Sequence, residues 1–187
     1  MSLIKPCRKV ALFAIALGMQ GWFMAAPQAV TIDFSAMLMP GTCTFSLSQS
    51  TLSLGTVTHS QLIAGKLLNI APFTLNVVAC SGSDSSLTPM VNITGEGMFH
   101  GGKWLFRSSD SEASGMGVML TRTDSPPNYN QAEVKHGDDI PLAARGSVPR
   151  DQQMTFYAGV TCGNGSECTT QGLGELKARV VFNLEYR

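Results

Sequence analysis

Residues 176–187 alternate: Leu176, Ala178, Val180, Phe182, Leu184 and Tyr186 stand on one face, and Lys177, Arg179, Val181, Asn183 and Glu185 on the other. A second run repeats the pattern near the other end, with Val30, Ile32, Phe34, Ala36 and Leu38 set against Thr31, Asp33 and Ser35. Period two is the mark of a strand with one buried face. The apolar pieces between these runs are short and β-branched or aromatic: residues 73–80, 90–94, 117–121 and 154–161. Turn clusters separate them, including Ser81–Ser86, Asp124–Asn128 and His136–Asp139. Nineteen glycines and nine prolines leave few windows long enough for a helix. Many short strands with turns between them predict one all-β domain of the sandwich type, without internal repeats.

The first 29 residues read differently. Lys5, Arg8 and Lys9 precede ten largely apolar residues, 10–19, too few to span a bilayer but sufficient for an export signal. A small-residue stretch follows, and cleavage after Ala29 is expected. Removal of residues 1–29 takes Cys7 with it and leaves Cys43, Cys80, Cys162 and Cys168. An even set of cysteines in an exported chain fits a disulfide framework. No second long apolar run follows, so no membrane span is expected in the mature form. Formal net charge is zero and only 14% of residues are charged, so nothing resembles a nucleic-acid or anionic-lipid footprint.

A bond from Cys43 to Cys80 would tie neighbouring strands and is worth roughly 4 kcal/mol in the chain-entropy model; a Cys162–Cys168 ring is worth about 2 kcal/mol. The competing use of these cysteines is a metal site, but no CxxC pair occurs, and His59, His100 and His136 are scattered among turn-like segments. Met37, Met39, Met90, Met98, Met116 and Met119 invite a copper-binding reading, against which methionine in strands is commonly adaptable core filler. There is no Gly-x-Ser-x-Gly elbow, phosphate-binding loop or His-Glu-x-x-His. Asp138 and Asp139 are adjacent, so on a strand they point to opposite faces. No enzyme and no cofactor is expected. The alternative is a self-contained periplasmic sandwich, a secreted hydrolase or copper-binding protein, in which residues 30–38 are simply the first strand.

The ordered landmarks resemble the subunits of chaperone–usher pili of Gram-negative bacteria, the type 1 and P pilus class, over essentially the whole mature chain. Cys43 follows an alternating N-terminal run by about a dozen residues. Phe73, Leu75, Val77 and Cys80 fit the strand that carries the family's second cysteine. Val91–Gly95 and Gly117–Leu120 resemble two later segments. Tyr186 is penultimate and Gly174 stands fourteenth from the end.

That resemblance implies an incomplete immunoglobulin-like β-sandwich lacking its final strand, completed by donor-strand complementation. Residues 30–42 would be the donor extension and 43–187 the pilin domain. A donated strand adds main-chain hydrogen bonds at a sheet edge and places alternate side chains in pockets. The donor face would be Val30, Ile32, Phe34, Ala36 and Leu38. The acceptor would include Gly174, Leu176, Ala178, Val180, Phe182, Leu184, Tyr186 and Arg187, with the Met154 to Val160 strand as the other wall. The resemblance pairs Cys43 with Cys80. It also implies a periplasmic chaperone, an outer-membrane usher and neighbouring subunits as partners, and export through the periplasm to a cell-surface fimbrium that supports adhesion. Too few residues precede Cys43 for an additional receptor-binding domain. The Cys162–Cys168 ring and the Leu-x-Tyr-Arg ending resemble a minor, tip or adaptor subunit.

Overall fold

The computed structural model describes residues 35–165, 168 and 172–187. The export signal and Val30, Ile32 and Phe34 lie outside the described residues. Residues 38–187 form one compact unit, and residues 35–37 belong to a separate one.

Among the described residues there are nine strands: β1 Thr42–Leu47, β2 Leu68–Ser81, β3 Pro89–Thr94, β4 Gly97–His100, β5 Lys103–Phe106, β6 Gly117–Arg122, β7 Asp138–Pro141, β8 Gln152–Thr161 and β9 Val181–Tyr186. A 3-10 turn spans His59–Gln61. The strands form a six-stranded sheet in the order β1-β2-β8-β6-β5-β4 and a three-stranded sheet in the order β7-β3-β9. Every pairing is antiparallel. The chain is therefore all-β, an incomplete immunoglobulin-like sandwich of two antiparallel sheets; among the described residues no strand pairs with β9 on the side away from β3.

Alternation builds the core between the sheets. Leu75 and Val77 of β2, Val91 and Ile93 of β3, and Phe156 of β8 are almost fully buried in one cluster with Phe106 and Leu120. Ala178, Val180, Phe182 and Leu184 pack against that cluster while remaining half-exposed. A smaller cluster of Leu62, Ala113, Met116, Cys162 and Cys168 sits beside it, with Val57, Leu68 and Leu176 against it.

β2 is the longest strand, and its irregularities are informative. Ser48 N–H donates to the Thr74 carbonyl at 2.9 Å, so by alternation the even residues of β2 turn their backbone toward β1 and the odd ones toward β8. Pro72, which has no N–H, therefore faces the β1 side just past the end of that ladder, where no donor is needed. Near Cys80 the register slips between Thr42 and Thr44. Ala79 adopts φ 52° in this bulge, its N–H donating to Asp151 Oδ1 at 3.0 Å, and Cys80 is bonded to Cys43. A second bulge, between Leu68 and Ala71, holds Asn69 at φ 49°.

The sequence reading did not anticipate β1, β4, β5 and β7. The glycine-rich stretch around Gly97 is a hairpin, closed at Gly101 and Gly102 with φ 58° and 80°. Such paired left-handed glycines make the tight turn that matches strand twist. Conversely, only Val181–Tyr186 of the long C-terminal run pairs with β3.

Candidate functional site

The open edge of β9 is the feature that invites a function. Thr88 and Arg187 exchange both backbone hydrogen bonds, at 2.6 and 3.0 Å. Alternation along an antiparallel ladder then assigns the backbone groups of Val181, Asn183 and Glu185 to β3. Upstream, the carbonyls of Glu175 and Lys177 accept from Glu112 and Ser108 N–H, each at 2.8 Å, and Lys177 N–H donates to Ser111 Oγ at 2.9 Å. Positions 175 and 177 are thus bonded to residues 108–113, and the odd positions from 181 to 187 to β3 and Thr88. The even positions, Leu176, Ala178, Val180, Phe182, Leu184 and Tyr186, turn their N–H and C=O groups the other way. Among the described residues nothing pairs with them.

These even residues are also the ones whose side chains point inward. Phe182 meets Phe156 at 5.3 Å and Phe73 at 6.1 Å between ring centroids, and Phe73 stacks on Phe156 at 5.5 Å. The three rings make an aromatic floor beneath the open edge. Charge is confined to the odd residues. Arg179 grips Asp110 through two hydrogen bonds of 2.7 and 2.8 Å, which together with its charge hold the Asp110 carboxyl down at about 2. Lys177 pairs with Glu175 at 2.9 Å, and Arg187 pairs with Glu185 and Asp139.

The facing wall is residues 48–57, not β8. β8 is hydrogen-bonded to β2 on one side and β6 on the other, so it has no edge to offer. Met154, Phe156, Ala158 and Val160 are buried as its inward face and lie in the floor. Residues 49–57 run beyond β1 outside any ladder, while Leu52 and Leu54 pack onto the same core as Val180 and Phe182.

One end of the C-terminal segment is closed at Gly41, ahead of β1, and at the other end Val57 of the facing wall shares a cavity with it. At one end a side chain on Gly41 would collide with the Tyr186 hydroxyl and the Ser81 and Gly82 carbonyls. Tyr186 is pressed there with its hydroxyl buried and unpartnered among the described residues, and burial raises its pKa. At the other end Val57, Leu62 and Met116 share a cavity of about 290 Å³ with Leu173 and Gly174. Gly174 has φ 140°, and a Cβ there would strike Glu112. The Cys162–Cys168 bond lies in the small cluster under this end.

Of the first alternating run, Ala36 and Leu38 are described, and both are exposed and outside any strand, Leu38 being 95% accessible. His59 and His136 are exposed and His100 is half-buried. His136 Nδ1 accepts from Gly95 N–H at 3.2 Å and its ring lies on Trp104. Met116 and Met119 are buried in different clusters. No helix among the described residues is long and apolar enough to cross a membrane.

Sequence reasoning missed the 48–57 wall, although Leu52-x-Leu54 carries the period-two signal. It also missed the aromatic floor, whose three rings come from separate strands.

No family description matches the sequence, and no curated protein matches it. Among solved structures the chain is similar to the crystal structure of the P pilus rod subunit PapA, at 15% identity and a TM-score of 0.49, over 84% of this chain and 100% of that one.

Proposed function

We propose that this chain is a structural subunit of a chaperone–usher fimbria, polymerising by donor-strand exchange. One observation carries the reading. Six consecutive even residues, 176 to 186, present free backbone groups and inward apolar side chains over a half-covered core. Such an edge accepts a strand through main-chain bonds while alternate side chains fill the groove. Left empty, it is an unpaired edge over an apolar strip, the combination that drives aggregation. A periplasmic chaperone would cover it first, with Arg187 and the terminal carboxylate in its grip, and a neighbouring subunit would replace the chaperone at the outer-membrane usher. The strand this subunit gives in return is residues 30–42, through Val30, Ile32, Phe34, Ala36 and Leu38. The exposed, unladdered state of Ala36 and Leu38 supports that assignment. The assembled fimbrium stands on the cell surface and supports adhesion. The ring at Cys162 and Cys168, placed under one end of the groove, supports a minor, tip or adaptor position.

Phe34→Asp tests the reading. It puts an unpaired charge where a large apolar side chain would enter the preceding subunit, at a cost of about 2 kcal/mol or more. The variant is expected to form its own chaperone complex normally and to fail to attach to the subunit ahead. A variant that unfolds within the chaperone complex, with strand exchange unaffected, would make residues 30–38 part of the intrinsic core.

A further inference from the structure

Past Ser48 the wall at residues 48–57 has no ladder of its own, yet it is held. Asn69 Nδ2 donates to the Leu54 carbonyl at 2.6 Å and to the Thr56 carbonyl at 3.1 Å. The two carbonyls flank Gly55, so a single amide holds the segment at two points in place of ladder bonds. The side chain reaches them because the bulge in β2 sets Asn69 at φ 49°, a conformation that asparagine tolerates better than most residues. Gly55, between the two clipped carbonyls, has φ 68°, and its position faces the Asn69 amide. Val57, the next residue, lines the cavity that ends the groove. Leu52 and Leu54 are pressed onto the core.

We infer that Asn69 is a positioning residue that fixes the far wall of the groove at the spacing an added strand needs. This inference rests on the strand-acceptor reading above. The clip uses the carbonyls of Leu54 and Thr56; Gly55 N–H donates locally to Ser53 Oγ at 3.3 Å, and among the described residues no other strand pairs with the segment. The clip also fixes Val57 across from Gly174, and so sets the width of the cavity. The incoming partner is an extended apolar segment, and Asn69 acts on it only through the wall.

The substitution that isolates this role is Asn69→Asp. It keeps size and tolerance of positive φ but turns both donors into acceptors facing two carbonyls. In the free-acid form it recovers one donor. Residues 48–58, β2 and β8 hold no carboxyl, imidazole, amine or guanidinium; their ionisable side chain outside the disulfide is the Tyr157 phenol, and His59 and Lys66 are the nearest such groups along the chain. A pH series from 5.5 to 3.5 reads the new carboxyl, with wild type as the control for general acid effects.

The probe is a fluorescent synthetic peptide of residues 30–40, bound to the mature full-length chain with its disulfides intact. Loss of the two donors is expected to weaken Asn69→Asp binding by about tenfold or more at pH 5.5. A substantial part should return as pH falls through about 4, the ordinary aspartate range. Asn69→Gly, which keeps the backbone conformation without the amide, is expected to be weak at every pH. Binding of Asn69→Asp equal to wild type, or weak binding with no recovery in acid, overturns the assignment. Should Asn69→Asp not fold, methyl relaxation of Leu52 and Leu54 in Asn69→Gly decides, since both are expected to be ordered in wild type and mobile in the variant. Equal order overturns the assignment. A wild-type chain that binds no peptide sinks the strand-acceptor reading instead, and the methyl comparison still tests the clip.

Discussion

The sandwich has strand edges on both sides, and they are built to opposite specifications. On the side of β4 and β7 the edge strands are four residues each. β7 carries Asp138, Asp139 and Pro141, and β4 runs into a double-glycine turn. Short strands, charges and proline are the ordinary means of keeping an edge from pairing with another chain. On the side of β9 the free positions number six, all apolar apart from one phenolic hydroxyl, without proline or charge. Charged groups of the same segment, Lys177, Arg179 and Glu185, sit on the parity already bonded. One edge is defended and the other is offered, within one fold and one solvent. An undefended edge in an otherwise defended sheet is a feature to be explained by use.

Breaking the covalent tie beside the offered edge should have the largest effect. Replacing Cys43 and Cys80 together by serine is expected to cost about 4 kcal/mol in urea unfolding, against about 2 kcal/mol for the same change at Cys162 and Cys168. Equal losses would mean that the chain-entropy account does not apply. Next, Phe182→Asp places a charge over the aromatic floor and is expected to cost about 3 kcal/mol. Phe99→Asp, at the defended edge where Phe99 is 66% exposed, should cost under about 1 kcal/mol. If the two substitutions cost the same, the contrast between the edges is wrong. Asp139→Ala removes the acceptor that Asn92 Nδ2 bonds at 2.8 Å. Asn92 is almost fully buried, so a loss of about 1–2 kcal/mol is expected, together with self-association by sedimentation as the defence of β7 weakens.

The smallest effect concerns Arg179 and Asp110. The Asp110 carboxyl is held at about 2, below its ordinary value. Its contribution is therefore complete above the ordinary aspartate range and is lost as pH falls from there through about 2. Both side chains are exposed, so Arg179→Ala should change melting temperature only slightly at neutral pH. Even that difference should vanish toward pH 2; a gap that widens in acid would contradict the pairing.

The two edges were not equally legible in the sequence. Leu176 to Tyr186 announces its inward face by alternation alone, and the structure puts all six residues on one parity. The identity of the opposite wall was not readable, because residues 154–160 and residues 52–54 both alternate. Only the sheet order, which depends on long-range pairing, shows that β8 is enclosed while 48–57 is not. β4 and β5 were hidden for a local reason: glycine at 95, 97, 101 and 102 reads as loop, yet two of these glycines form the turn and Gly97 fits where a Cβ would meet Trp104. The Asn69 clip was beyond reach, since nothing in Leu-Asn-Ile reveals a bulge or the carbonyls waiting fifteen residues earlier.

The shared parity of free backbone and inward side chains along β9 has a consequence for fidelity. A visiting strand displaced by a single residue would lose the matching comb of donors and acceptors and would also present its polar face to the rings of Phe73, Phe156 and Phe182. Both penalties arrive together. The next permitted alignment is two residues away, about 7 Å along the edge. On the proposed strand-acceptor reading, the edge would admit alignments only in discrete steps, like a keyway cut at a fixed pitch, and intermediate positions would be rejected without any dedicated proofreading part.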